Sequence, residues 1–238
     1  MINDEGRTEN LMKTLLKSRD VEEEFEKIIE NCKKTNLKYI DPDFYPQIDI
    51  LEEDKTILQE HEWKRIEDEY TSPLFENISP ESVRQGRLGD CYFVVSLIYA
   101  AENSEKVKYL FHPKSSLKYG CALVYFWFLG ERIPVIIDTF VAFKCTQKSN
   151  SPIFSHPRSK NGSCWFSLVE KAFAKACGGY KFIVSGITHF GAHVLYDYFS
   201  VAHSKLEDLL QDEQSRLNDE KEKNDEIFRI LLNLKKRN

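Results

Sequence analysis

Near the N-terminus, apolar residues recur at helical spacing among acidic ones. They are Leu11, Leu15, Phe25, Ile28, Ile29 and Cys32. Residues three, four or seven positions apart lie on one face of an α-helix, so this pattern predicts an amphipathic N-terminal helix. The next stretch, residues 39–80, contains prolines and aspartates that interrupt any period. We expect it to be an extended segment that wraps a core.

Two later segments have the patterns of buried helices. Residues 91–101 are almost continuously apolar and end in the polar sequence ENSEK, which predicts a buried helix. In the second segment, from Trp165 to Ala176, apolar residues form one helical face. Ser163 is the candidate N-cap of that helix, and Gly178 and Gly179 are its expected stop.

The β content is predicted to be small. Residues 121–129 and 133–138 are apolar and are separated by the short sequence GER, which favours two tightly joined strands. Residues 146–163, TQKSNSPIFSHPRSKNGS, are mostly polar and contain two prolines, which is typical of a surface loop. Together these patterns predict an α+β protein that is mainly helical.

The amino-acid composition argues against two classes of protein, nucleic-acid binders and membrane-spanning proteins. The chain has 238 residues, of which 42% are hydrophobic and 30% charged, as in soluble globular proteins. A net charge of −5 argues against nucleic acid as a partner, since nucleic-acid binders carry basic patches. The apolar runs are too short for a membrane span. Six scattered cysteines without a C-x-x-C pair suggest reduced thiols and a cytoplasmic location.

The sequence QGRLGDCYF, residues 85–93, places Cys91 where a glycine-containing turn meets a predicted helix. A helix N-terminus stabilises a thiolate, which is the nucleophilic form of cysteine. The side-chain amide of Gln85 and the backbone N–H of Cys91 could together form an oxyanion hole, with Gly86 and Gly89 allowing the tight turn. The alternative is a cysteine that serves only for packing.

These residues carry a resemblance to a known family. QGRLGDCYF resembles the Q-G-x-L-G-D-C-W-F signature of the calpain family of cysteine proteases. The segments YIDPDFYP, EWKR, CWFSLVEKAFAKACGGYKFIVSG and IFRILLNLKKRN also resemble the family, in order, over residues 38–238. The resemblance implies a papain-like α+β fold, with Cys91 as the nucleophile and Gln85 as the oxyanion-hole residue. Tyr92 stands where the family usually has Trp.

The resemblance also implies a domain organisation. Residues 1–37 are expected to be an N-terminal helical extension, 38–203 the first protease subdomain, and 204–238 a charged helical linker. The linker would lead to a second subdomain that this chain lacks. In calpains the catalytic His and Asn lie there, in G-H-A-Y and N-P-W-G motifs, and neither motif occurs in this sequence.

The histidines present are not expected to replace the missing base. Each is interpreted as a loop or packing residue: His61, His112, His156, His189, His193 and His203.

The resemblance further implies a calcium site in the first subdomain, where the family uses an Asp three residues before the Gln and a Glu in the L-L-E-K block. Glu170 keeps the second ligand, but Ser82 occupies the Asp position. Loss of a carboxylate weakens a site for a hard cation. We therefore expect no tight calcium site, and we interpret Glu170 as an exposed helix carboxylate.

Two functional hypotheses follow. In the first, the chain is the nucleophile half of a calpain-like cysteine endopeptidase acting on protein substrates, and is inactive alone. Its His and Asn would come from sequence missing here or from a complementary protease subdomain. In the second, it is a catalytically silent half-protease that acts as a protein-binding or regulatory module.

Overall fold

A computed structural model describes residues 4–44, 61–146 and 149–196. It begins with two helices, α1 (Asp4–Leu16) and α2 (Val21–Thr35). The single N-terminal helix predicted from the apolar pattern is therefore interrupted at residues 17–20. A tight turn forms there, in which the Ser18 N–H donates to the Leu15 carbonyl (3.1 Å). The polar sequence Lys-Ser-Arg-Asp at these positions contributes no apolar residue that would hold a continuous helix on the core.

The remaining elements alternate between short strands and helices. The helices are α3 (Ile66–Glu69), α4 (Cys91–Ala100), α5 (Ser104–Tyr109), α6 (Trp165–Ala176) and α7 (Thr188–Leu195). The strands are β1 (His61–Arg65), β2 (Val83–Arg84), β3 (Cys121–Phe128), β4 (Glu131–Asp138), β5 (Phe140–Thr146), β6 (Ser149–Pro152) and β7 (His156–Pro157). The α+β class is confirmed.

The strands form three small antiparallel sheets in the described ranges. The hairpin β3–β4 is the one predicted from the apolar pattern, and it pairs Cys121 with Asp138 at its open end. A three-stranded sheet has the order β1-β5-β6, and β2 pairs with β7. These two sheets were not predicted. Their strands are short or drawn from polar sequence, so period-two alternation is weak.

Helices α4 and α6 and the hairpin meet in the main core. The rings of Phe93 on α4 and Phe173 on α6 stack with centroids 4.2 Å apart, and Phe126 of β3 lies 5.6 Å from Phe173. Helix α2 covers the other face of the hairpin with Phe25 and Ile29. Cys91, the candidate nucleophile, is therefore the first residue of a helix that aromatic packing holds in the core.

A buried ionic cluster fixes the segment before residue 45 to helix α6. The Lys175 ammonium binds both carboxylate oxygens of Asp41, at 2.9 and 2.7 Å. The Lys171 ammonium binds the Asp138 carboxylate, whose other oxygen accepts the Asp41 N–H at 2.9 Å. Each buried charge in this cluster has an opposite charge beside it, as burial requires.

Residues 146–163 were expected to form a surface loop, and this is wrong for residues 153–155, which are buried. Ile153, Phe154 and Ser155 are buried, and the Phe154 ring stacks on Tyr180 at 3.8 Å. The two apolar residues fill the core although their neighbours are polar. The expected cap is also wrong, because the Ser163 hydroxyl donates to the Leu74 carbonyl and Cys164 occupies the N-cap position.

The predicted stop of helix α6 is confirmed. Gly178 and Gly179 both adopt positive φ, 87° and 143°, which glycine tolerates without a steric cost. The Gly179 N–H donates to the Ala174 carbonyl at 2.7 Å and closes the last turn.

Among the helices in the described ranges, none is both long and apolar enough to cross a bilayer. The predicted linker, residues 204–238, lies outside those ranges.

Candidate active site

Cys91 is the first residue of α4, and its side chain is exposed. The next three residues, Tyr92, Phe93 and Val94, are buried and anchor the helix. The Asp90 carbonyl accepts the N–H groups of Phe93 and Val94, at 2.8 and 3.1 Å. At a helix start the first N–H groups have no partner within the helix, so that of Cys91 can donate to an acceptor outside it.

The loop before Cys91 is held tightly against residues 153 and 154. The pairing of β2 with β7 fixes its beginning, and the Arg87 N–H donates to the Ile153 carbonyl at 2.7 Å. A Cβ on Gly86 would lie 2.3 Å from the carbonyl oxygens of Ile153 and Phe154. The signature glycine is therefore required for close backbone approach.

Gln85 is exposed, and its amide is oriented by its own loop. Its Nε2 donates to the Leu88 carbonyl at 3.0 Å. A primary amide has two N–H donors, so this bond orients the amide and uses only one of them. Such an amide can donate its second hydrogen to a ligand in front of the loop.

Two buried carboxyl groups lie behind the candidate nucleophile. Asp90 precedes Cys91 and is fully buried, yet its carboxylate makes no helix-capping bond. It lies beside Glu170, whose Oε2 accepts the Ser155 N–H and hydroxyl at 2.9 and 2.8 Å. Complete burial and the neighbouring Asp90 charge hold the pKa of Glu170 well above its usual value. Both causes favour the protonated form of Glu170.

A proton shared between the two carboxyl groups accounts for part of the pair. Glu170 Oε1 and both Asp90 oxygens have no hydrogen-bond partner elsewhere in the described part of the chain. A proton on Oε1 can donate to one Asp90 oxygen, which leaves the second Asp90 oxygen without a partner there. Burial raises the pKa of Asp90 too, while the bond from Glu170 opposes that rise.

The expectation that Glu170 is exposed is thus wrong, because it is 1% exposed. The apolar residues from Trp165 to Ala176 form one helical face, and Glu170 and Lys171 lie on the other side. Polar residues opposite an apolar face normally meet solvent, so this pattern predicts exposure of Glu170 and not its burial.

The residues present do not fit the calcium site that the resemblance implies. The Ser82 hydroxyl donates to the Ser79 carbonyl at 2.6 Å, and Glu170 is engaged with Ser155 and Asp90. No cluster of three or more His, Cys, Asp or Glu side chains suited to a metal occurs in the described ranges. The absence of a tight calcium site stays a prediction.

Four other cysteines differ from Cys91 in being buried: Cys32, Cys121, Cys164 and Cys177. Burial raises the pKa of the Cys121 and Cys164 thiols to about 12. It also raises the pKa of the Cys32 and Cys177 thiols. The Cys145 side chain lies outside the described part.

Two histidines outside α7 take part in local packing. His112 packs edge-on against Phe25 and accepts the Lys114 N–H, and burial lowers its pKa. His156 Nδ1 lies 2.9 Å from the Phe154 carbonyl, to which it must donate, and burial lowers the pKa of this histidine.

Of the other four histidines, only His193 has a described side chain. His193 lies on α7, the helix whose Gly191 packs against α4. The side chains of His61, His189 and His203 lie outside the described part. The interpretation of all six as loop or packing residues stays a prediction.

Comparison with known proteins identifies the family. Residues 39–238 match the family described as calpain family cysteine protease. The chain is 30% identical to Calpain-5 of Mus musculus over 200 residues, which cover 78% of this chain and 30% of that protein. It is 34% identical to Calpain-13 of Rattus norvegicus over 125 residues, 50% of this chain and 18% of that protein.

The matched region therefore spans less than a third of either relative. The family match, residues 39–238, contains Cys91, the loop of Gln85 and the buried Glu170, and it includes 200 of the 238 residues. On this extent of similarity the chain belongs to the calpain family of cysteine proteases.

Proposed function

We propose that this chain provides the nucleophile half of a calpain-like, cysteine-type endopeptidase that cleaves peptide bonds in protein substrates. The observation that carries the proposal is the position of Cys91. Its exposed thiol begins a helix whose next three residues are buried, and the preceding loop orients the Gln85 amide. We propose a cytoplasmic location as well, because the described thiols are free and persistent disulfides are rare there.

In the proposed reaction the Cys91 sulfur attacks the carbonyl carbon of the scissile peptide bond. The carbonyl oxygen becomes an oxyanion that accepts hydrogen bonds from the Cys91 N–H and the second Gln85 N–H. The intermediate then collapses to a thioester on Cys91 and releases the amine. Water hydrolyses the thioester and frees the thiol.

Each half-reaction needs a group that moves protons. A base takes the proton from the Cys91 thiol and delivers it to the departing amine. We propose that a histidine of a complementary protease subdomain does this. His112 and His156 are engaged in local contacts, and the family's histidine motif does not occur in this sequence. The chain alone is therefore expected to be inactive as a peptidase.

The test compares residues 1–238 alone with the same chain fused, after Asn238, to a second calpain-like subdomain. Casein cleavage by the isolated chain should not exceed that of its Cys91→Ala variant. The fusion should cleave casein, and Cys91→Ala should abolish that activity. Cys32→Ala removes a buried thiol on α2 and serves as the matched control. Cleavage by the isolated chain that requires Cys91 would overturn the half-enzyme proposal.

A further inference from the structure

We propose that Arg7, in the N-terminal helix α1, is a positioning residue for the loop that carries Gln85 and Cys91. Helix α1 lies before residue 39, where the similarity to the family begins. The helix nevertheless packs into the body of the protein: Leu11 is fully buried, and Asn10 donates to the Cys177 carbonyl at 2.9 Å. Arg7 extends from this helix toward the nucleophile.

The Arg7 side chain is 3% exposed and reaches two backbone carbonyls. Nε donates to the Phe182 oxygen at 2.8 Å, and Nη2 donates to the Ser185 oxygen at 2.6 Å. Its guanidinium carbon lies 5.4 Å from the centre of the Tyr92 ring and 5.2 Å from that of Phe190. A buried guanidinium needs such acceptors and aromatic faces. Tyr92 is the residue next to Cys91.

Ser185 connects Arg7 to the loop. While its carbonyl accepts from Arg7, its N–H donates to the Gly89 carbonyl at 2.8 Å. Ser185 has a φ of 63°, which is uncommon for a residue with a side chain. Such a conformation persists only where the surroundings hold it on both sides. Arg7 provides one of these restraints and the nucleophile loop the other.

Packing reinforces the same connection. A Cβ on Gly186 would lie 2.7 Å from the Tyr92 ring, and one on Gly89 would lie 3.4 Å from Val184 Cγ1. Residues 182–186 therefore form a wedge between helix α1 and the start of helix α4. A movement of this wedge is transmitted to Gly89, Asp90 and Cys91.

The consequence is a loss of order at the start of α4 when Arg7 is removed. The wedge relaxes, Gly89 loses its donor, and the backbone that leads into Cys91 is less constrained. The importance of this for peptide cleavage rests on the proposed function. The positioning itself does not, since the reactivity of the Cys91 thiol is measurable without any peptidase activity.

The test uses Arg7→Met in the full chain. The rate of Cys91 alkylation by iodoacetamide is followed by peptide mass mapping, and deuterium uptake is followed for peptides covering residues 179–190. We expect alkylation at Cys91 to slow by about threefold or more, because the reactivity of a cysteine at a helix start depends on the order of that first turn. Exchange at the Ser185 amide should accelerate. Arg7→Lys, which keeps the cation and can reach one carbonyl, should restore part of both.

Asn10→Ala is the matched control, because it removes a side-chain bond from the same helix to a carbonyl away from the loop. It should destabilise the protein while leaving Cys91 alkylation and Ser185 exchange unchanged. Should Arg7→Met not fold, Arg7→Gln takes its place with the same expectation. A wild-type Cys91 rate in the folded variant would overturn the proposal, as would equal slowing in Asn10→Ala.

Discussion

Solvent exposure distinguishes the Cys91 thiol from the four buried cysteines. Limited alkylation with iodoacetamide should therefore modify Cys91 first, since burial blocks access to the others and raises the pKa of Cys121 and Cys164 to about 12. Peptide mass mapping after partial reaction identifies the modified thiol. Preferential labelling of Cys121 or Cys177 would contradict the assignment.

The buried carboxyl pair predicts a specific dependence of stability on pH. In the folded protein the pKa of Glu170 is raised by burial and by Asp90, whereas an unfolded Glu titrates near a pKa of about 4.3. The folded state therefore keeps a proton that the unfolded state has lost. The contribution of Glu170 to the free energy of unfolding is fully present below its unfolded pKa of about 4.3 and is lost as the pH rises through its folded pKa.

Glu170→Gln tests this source of the pH dependence. Its amide N–H₂ can donate to Asp90 and its oxygen can accept from Ser155, without any proton to lose. Urea unfolding from pH 5 to 9 should show a shallower decline than in wild type, with the variant more stable at the alkaline end. A decline as steep as that of the wild-type protein would show that Glu170 is not its source.

Ser82 underlies the prediction for calcium. A serine hydroxyl replaces the carboxylate that the family's site would use, and it already donates to Ser79. Titration calorimetry of the metal-free chain should give no micromolar dissociation constant. Ser82→Asp should strengthen whatever weak binding is found, because ligand charge sets much of the affinity for calcium. Micromolar binding by the wild-type chain would refute this prediction.

Among the elements, the contact between the loop before α4 and residues 153–154 is the tightest constraint on the site. Gly86→Ala places a methyl group 2.3 Å from two carbonyl oxygens, and the backbone must move. We expect a loss of about 1–3 kcal/mol in the free energy of unfolding and slower alkylation of Cys91.

Gly130→Ala provides the comparison. Gly130 has a φ of 79°, but its surroundings leave a Cβ open space. The substitution should cost only the strain of a positive φ, about 1 kcal/mol, and should leave Cys91 alkylation unchanged. Slower Cys91 alkylation in Gly130→Ala than in Gly86→Ala would contradict the argument.

The elements also show what sequence patterns can predict. The hairpin β3–β4 was predictable because two apolar runs flank three residues containing a glycine. The burial of Ile153 and Phe154 was not, since two apolar residues among polar ones give no period. Their environment depends on Tyr180 and on the loop at Gly86, which are distant in sequence.

At the scale of the whole molecule, the site depends on contacts that local sequence does not encode. The signature around Cys91 predicted the nucleophile candidate, yet Arg7 and Ser185 are 178 positions apart. The Asp90–Glu170 pair likewise joins residues that are distant in sequence. Asp90 lies in the turn before α4, and Glu170 lies in the middle of α6. The roles of these residues can be recognised only from the tertiary structure.

In the proposed reaction Cys91 attacks a carbonyl and Gln85 helps to stabilise the oxyanion. A p-nitrophenyl ester tests it directly in the isolated chain, because p-nitrophenolate departs without a proton and so needs no histidine. We expect a burst of p-nitrophenolate and a thioester that maps to Cys91, with no such adduct in Cys91→Ala. The rate in Gln85→Ala should be lower by about tenfold or more. Acylation at another residue, or an unchanged rate in Gln85→Ala, would contradict it.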